Sequence, residues 1–146
     1  MPKGFFCTVL YTGDMYRRLI GSAALVGIGL FVVNAVAVTF YWYVSILWFD
    51  MLMHTIGGVF VALLGAAVLW RHIKDLRGWD VFITLALFVF IIGLAWEYYE
   101  YVVQFFIKSV HLADISDSIS DLICDMCGGM LGAIFVIVLQ KRYNRR

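Results

Sequence analysis

Polar and apolar positions along this chain separate into long blocks rather than alternating. Residues 19–49 contain no Asp, Glu, Lys or Arg over 31 positions, and residues 51–70 none over 20. Residues 81–96 contain none over 16 and residues 126–140 none over 15. Runs of this length without period-2 alternation or turn residues are helical, not strands. A helix needs about 20 apolar residues to cross a hydrocarbon core of about 30 Å. The first two runs suffice alone. The last two reach only about 24 and 22 Å at about 1.5 Å per residue. They span only by extending past Glu97 and Glu100 in one case and back to Asp125 and Asp121 in the other, which places those carboxylates within or at the edge of a bilayer. The pattern predicts four helices, near 18–45, 50–71, 80–107 and 118–141. The first is long enough to tilt or to end in an interfacial stretch, where Tyr41, Trp42, Tyr43 and Trp48 suit an aromatic belt.

Composition removes the competing classes. The chain is 64% hydrophobic and 14% charged, whereas a soluble domain is typically about 25% charged. Disorder requires the opposite balance, and a soluble domain of this length has too few polar side chains here to cover its wet surface. A net charge of +1 gives no nucleic-acid footprint. The expected fold is all-α, a polytopic four-transmembrane-helix bundle forming a single membrane domain over residues 1–146. Residues 4–12 are apolar but short and lack a small-residue cleavage pattern, so the first helix is expected to be an uncleaved anchor.

Charge placement orients the bundle. Lys3, Arg17 and Arg18 precede the first expected helix, Arg71, Lys74 and Arg77 separate the second from the third, and Lys141, Arg142, Arg145 and Arg146 follow the fourth. Lys108 alone lies on the other side. The positive-inside rule makes the basic face cytoplasmic, and four crossings put both termini there. Asp75 and Asp80 share that inner loop and read as solvated.

The remaining ionisable residues collect at the opposite, outer end. Asp50 and His54 are spaced i, i+4, Glu97 and Glu100 i, i+3, and Asp117, Asp121 and Asp125 i, i+4, i+8. Each set therefore forms a ridge on one helix face. Intramembrane charges face the bundle interior or a water-filled cavity, so the three ridges are expected to converge. Six carboxylates at one depth need protons, basic partners or a cation, and Lys108, His111 and His54 are too few. Carboxylate oxygens with one imidazole form a ligand set for a divalent metal. Oxygen ligands alone suit Ca²⁺, Mg²⁺ or Mn²⁺, and including His54 favours Mn²⁺, Fe²⁺ or Zn²⁺. Helix bundles with inward Glu and His pairs hold metals in this way. Individually, Asp50 or Asp117 is also an ordinary first-turn acid complementing a helix dipole, Asp114 and Asp117 are also read as wet loop residues, and proton-relay carboxylates produce the same pattern.

Glycines accompany the ridges. Gly57 and Gly58 follow His54. Gly128, Gly129 and Gly132 follow Asp125, with Gly128 and Gly132 forming a GxxxG that permits close helix packing or a homo-oligomer contact. Gly27 and Gly29 offer the same in the first helix, where Asn34 is expected to hydrogen-bond across the bundle. Cys124 and Cys127 form a CxxC without a surrounding redox fold and read as small buried hydrophobes.

Asp50-x-x-x-His54 with Gly57-Gly58, Trp96-Glu97-x-x-Glu100, and Asp117-x-x-x-Asp121 with Gly128-Gly129-x-x-Gly132 resemble the core of VanZ-like membrane proteins. They are closer still to the YjdF-like family of bacterial membrane proteins of unknown function. The resemblance covers residues 48–135. VanZ-like chains carry a Gln after the helix-3 Glu and a basic residue before the helix-4 Asp; Glu100 takes the first place here and no Arg precedes Asp117. The resemblance implies a bacterial inner membrane and a shared acidic site. Three functions follow as expectations: a metal-dependent hydrolase of a lipid-linked phosphate substrate at the outer leaflet, with Asp50, His54, Glu97, Glu100, Asp117, Asp121 and Asp125 as candidate metal residues; a cation or proton transporter using the same cluster; or a metal-stapled partner protein without turnover. The inner half of the bundle offers no acidic or histidine steps between Arg71 and the cluster, which disfavours an ion path.

Overall fold

The computed structural model describes residues 3–107 and 115–144, and the side chains of 14–103, 106, 115–143. The described residues are all-α, with four helices long and apolar enough to cross a membrane. They comprise α1 (Lys3–Thr39), α2 (Trp42–Ser45), α3 (Phe49–Val68), α4 (Trp70–Ile73), α5 (Gly78–Ile107) and α6 (Ile115–Asn144). Lys108, His111 and Asp114, singled out from the sequence, lie outside the described residues.

The spans match the uncharged runs, and the differences occur at their ends. The first helix was expected over 18–45. It instead starts at Lys3 and stops at Thr39, because Tyr41 adopts a left-handed backbone with φ 56°. That turn ends the rod and starts α2, so the aromatic stretch becomes a short separate helix rather than a continuation. The second was expected to run to 71, but it breaks at Leu69 and α4 follows as a single turn.

The central element is α3, which packs on α1, α5 and α6, most extensively on α6. Glycine permits this. A Cβ on Gly58 would strike the Asp125 carbonyl, and one on Gly128 would strike the Thr55 carbonyl. A Cβ on Gly132 would come 2.7 Å from that of Ala62. The GxxxG is therefore seated on α3 of the same chain, the close helix packing expected of it. Gly129, one residue on, faces α5 instead, where a Cβ would lie 2.8 Å from Val89. Neighbouring glycines thus seat α6 between two helices. Gly27 similarly admits the Phe60 ring against α1, whereas Gly29 faces open space.

The half of the bundle nearer Arg17, Arg71 and Lys141 is a dry apolar core. Met15 and Leu19 of α1, Leu63 and Ala66 of α3, Val81 and Leu85 of α5, and Ala133 and Val136 of α6 are buried together. At the edge of this core, buried Gln140 donates from Nε2 to the Lys74 carbonyl at 2.8 Å. It ties the α4–α5 connection to α6, a contact the sequence did not signal. Outward faces carry large apolar side chains such as Leu25, Phe31 and Ile91, as a lipid-facing surface requires.

Gly58→Ala and Gly128→Ala are each expected to destabilise the bundle by about 3 kcal/mol, since backbone must separate to admit the methyl group. Gly29→Ala, facing open space, is expected to leave stability unchanged. Unfolding of the purified chain in mixed micelles measures all three.

Candidate metal centre

The α3–α6 contact sets the geometry of the polar end. His54 lies one turn into α3 after Asp50, and Asp121 and Asp125 lie two residues or more beyond the first turn of α6. Because Gly58 and Gly128 bring the two backbones together, the imidazole is driven against the α6 carboxylates. His54 is 8% exposed, Asp121 3% and Asp125 8%. All lie inside the candidate membrane spans.

The two imidazole nitrogens have different neighbours. Nδ1 lies 3.3 Å from Asp125 Oδ1. Nε2 lies 3.9 Å from Asp50 Oδ1 and 3.9 Å from Asp121 Oδ2. Asp125 therefore lies on the Nδ1 side of the ring, while Nε2 faces Asp50 and Asp121. A carboxylate behind a histidine, orienting it toward a metal, is a recurrent arrangement in metal sites. Asp125 is itself held tightly. Its Oδ1 faces Gly57, and a Cβ on Gly93 of α5 would lie 3.0 Å from its Oδ2.

From α5, Glu97 and Glu100 approach the same ring. Donor atoms of Asp50, His54 and Asp121 lie within 4.8 Å of one another, as do those of His54, Glu97 and Glu100. His54 is common to both groups. Glu97 Oε1 is buried without a hydrogen-bond partner, an acceptor that a cation would satisfy at a site where an unpaired buried oxygen is otherwise costly. The donor chemistry, carboxylates with one imidazole, fits Mn²⁺, Fe²⁺ or Zn²⁺.

The structure thus brings together Asp50, His54, Glu97, Glu100 and Asp121, with Asp125 behind His54. Asp117 is exposed, one turn before Asp121 in the first turn of α6, and belongs to neither donor group. Cys124 is partly buried and Cys127 exposed, both as free thiols. Asn34, expected to bond across the bundle, instead accepts a hydrogen bond of 2.7 Å from the Tyr43 hydroxyl. Two residues were missed in the sequence. Tyr43 was assigned to an aromatic belt only, and its hydrogen bond to Asn34 depends on the turn at Tyr41. Gly93 was legible, being the single glycine in residues 81–96 and one turn before Glu97 on the same face.

Fold and site together define a multi-pass membrane protein, a four-helix bundle with a His–carboxylate cluster at one end. The chain belongs to a family described as predicted membrane proteins (DUF2238), which it matches over residues 5–142. No curated protein and no solved structure matches it.

Asp125→Asn, which removes the charge behind His54, is expected to weaken divalent-metal binding by about 10- to 100-fold. Asp117→Asn is expected to leave it unchanged. Mn²⁺ titration followed by electron paramagnetic resonance compares the two; equal losses would place Asp117 among the ligands.

Proposed function

We propose that this protein is a metal-dependent membrane hydrolase that acts on a lipid-linked phosphate at the outer leaflet of the bacterial inner membrane. The observation that carries the metal site is the meeting of two donor groups at His54, with the buried Glu97 Oε1 lacking any hydrogen-bond partner. Asp50, His54, Glu97, Glu100 and Asp121 are the proposed ligands, with Asp117 at the rim.

Charge then constrains the occupancy. Four carboxylates, Asp50, Glu97, Glu100 and Asp121, carry when ionised twice the charge of a single divalent ion, and the excess negative charge repels phosphate. A phosphate substrate therefore calls for more than one cation, and the two donor groups meeting at His54 supply oxygens for that. Paired metals clamp a phosphoryl group and generate a nucleophile from bound water. A carboxylate left unligated is suited to general-base work.

The placement of basic residues supports an orientation with both termini cytoplasmic and the cluster facing outward. The motif likeness to YjdF-like and VanZ-like chains supports a bacterial inner membrane. Transport through the monomer is disfavoured by the dry core of Leu63, Ala66, Val81, Leu85 and Val136, which offers no polar step between the cluster and the basic end. A metal-stapled partner protein without turnover is the competing reading, and it is favoured by the number of helices that meet at His54.

Elemental analysis of protein purified without chelator is expected to find more than one divalent ion per chain. His54→Ala and Glu97→Gln are expected to abolish both the metal and the release of phosphate from lipid-linked substrates in vesicles. Metal with no phosphate release, together with loss of stability on chelation, would establish the staple. Absence of metal under several supplied ions would overturn the site itself.

A further inference from the structure

Asp125 belongs to neither donor group, yet it lies nearer the shared imidazole than Asp50 or Asp121. Its Oδ1 is 3.3 Å from His54 Nδ1, against 3.9 Å for Asp50 and Asp121 on the other ring nitrogen. Its Oδ2 lies against α5, where a Cβ on Gly93 would come within 3.0 Å of it and within 2.9 Å of Leu122 Cδ1. From α3 the constraint is slack, since a Cβ on Gly57 would stay 3.9 Å from Oδ1. The Asp125 side chain is 11% exposed, and Gly93 is buried. The carboxylate thus occupies a slot between α3 and α5, and the missing side chain of Gly93 sets its width.

Gly93 differs in kind from the glycines that seat α6 on α3. At Gly58 and Gly128 a Cβ would strike backbone carbonyls, and the helices must part to admit it. At Gly93 the nearest atoms all belong to the side chains of Leu122 and Asp125. No backbone approach requires a glycine there, and glycine inside a helix is costly relative to alanine. Side chains yield before backbone does. Leu122 is only partly buried and has other staggered rotamers to enter. Asp125 has the imidazole on its other side, so a push on Oδ2 displaces the carboxylate relative to His54.

We infer that Gly93 is a positioning residue of the centre: by lacking a side chain it lets α5 close over the Asp125 carboxylate, which in turn holds the His54 imidazole with its far nitrogen toward Asp50 and Asp121. The inference rests on the cation site proposed above. Groups that orient a metal-binding histidine are worth about 10- to 100-fold in affinity, and Gly93 acts on that orientation through one carboxylate.

Gly93→Ala is compared with Gly129→Ala, which puts the same methyl group into the same α5–α6 contact away from the cluster. There a Cβ would lie 2.8 Å from both Cγ atoms of Val89, a buried, β-branched side chain with little freedom to turn. The two variants are expected to rank in opposite orders. Mn²⁺ affinity of the full chain in detergent is expected to fall about tenfold in Gly93→Ala and to stay at the wild-type value in Gly129→Ala. The metal-free thermal midpoint is expected to fall further in Gly129→Ala. Added to Asp125→Asn, Gly93→Ala is expected to bring no further loss of affinity, because both act through the same side chain. Wild-type affinity in Gly93→Ala overturns the role of Gly93 and leaves the metal site standing. Equal affinity losses in the two glycine variants, a midpoint lower in Gly93→Ala than in Gly129→Ala, or an additive loss with Asp125→Asn reduces Gly93 to helix packing and overturns it as well. No Mn²⁺ binding in wild type overturns this inference and the metal site together.

Discussion

The contact on which this structure depends is the backbone approach of α3 and α6 at Gly58 and Gly128. Neither position admits a Cβ, since the carbonyls of Asp125 and Thr55 occupy that space. In a bilayer, helices gain nothing from hiding apolar surface that lipid already covers, so close packing at small residues carries the association. The same approach sets the chemistry, because His54 is one turn from Gly58 and Asp125 three residues before Gly128. Helices spaced by larger side chains would hold the imidazole and the carboxylates apart.

Once the helices are that close, electrostatics determines what the polar end becomes. His54 is the single base among Asp50, Asp121, Asp125, Glu97 and Glu100 in the described cluster, and Glu97 Oε1 finds no donor in the protein. The chain resolves the imbalance by asymmetry. Asp125 takes one imidazole nitrogen from behind, and the other nitrogen is left among oxygens from three helices. The opposite half, from Leu63 on α3 to Trp70 on α4, is packed with apolar side chains. The bundle is therefore divided along its length into an apolar anchor and a polar head.

Much of this was legible beforehand. The four uncharged runs are long relative to any strand, and a backbone in lipid has to bond to itself, so their helicity follows from physics that no neighbour can override. The ridges Asp50/His54, Glu97/Glu100 and Asp121/Asp125 followed from the 3.6-residue period alone. The ends were less legible. The stop at Thr39 depends on one left-handed residue, Tyr41, of a type that seldom adopts that conformation. The hydrogen bond from Tyr43 to Asn34 depends on that stop.

The sequence by itself determined the number of spans, the segregation of basic and acidic ends, and which faces carry acids. These are properties of single helices and of the cost of charge in hydrocarbon. Only the tertiary structure decided that Gly128 and Gly132 seat α6 on α3 of the same chain, that Asp125 stands behind His54 while Asp117 stays at the rim, and that Asn34 meets Tyr43. A periodic pattern shows which residues share a face. It does not show which face another helix meets or how closely, because that depends on side-chain volumes from two segments distant in the chain.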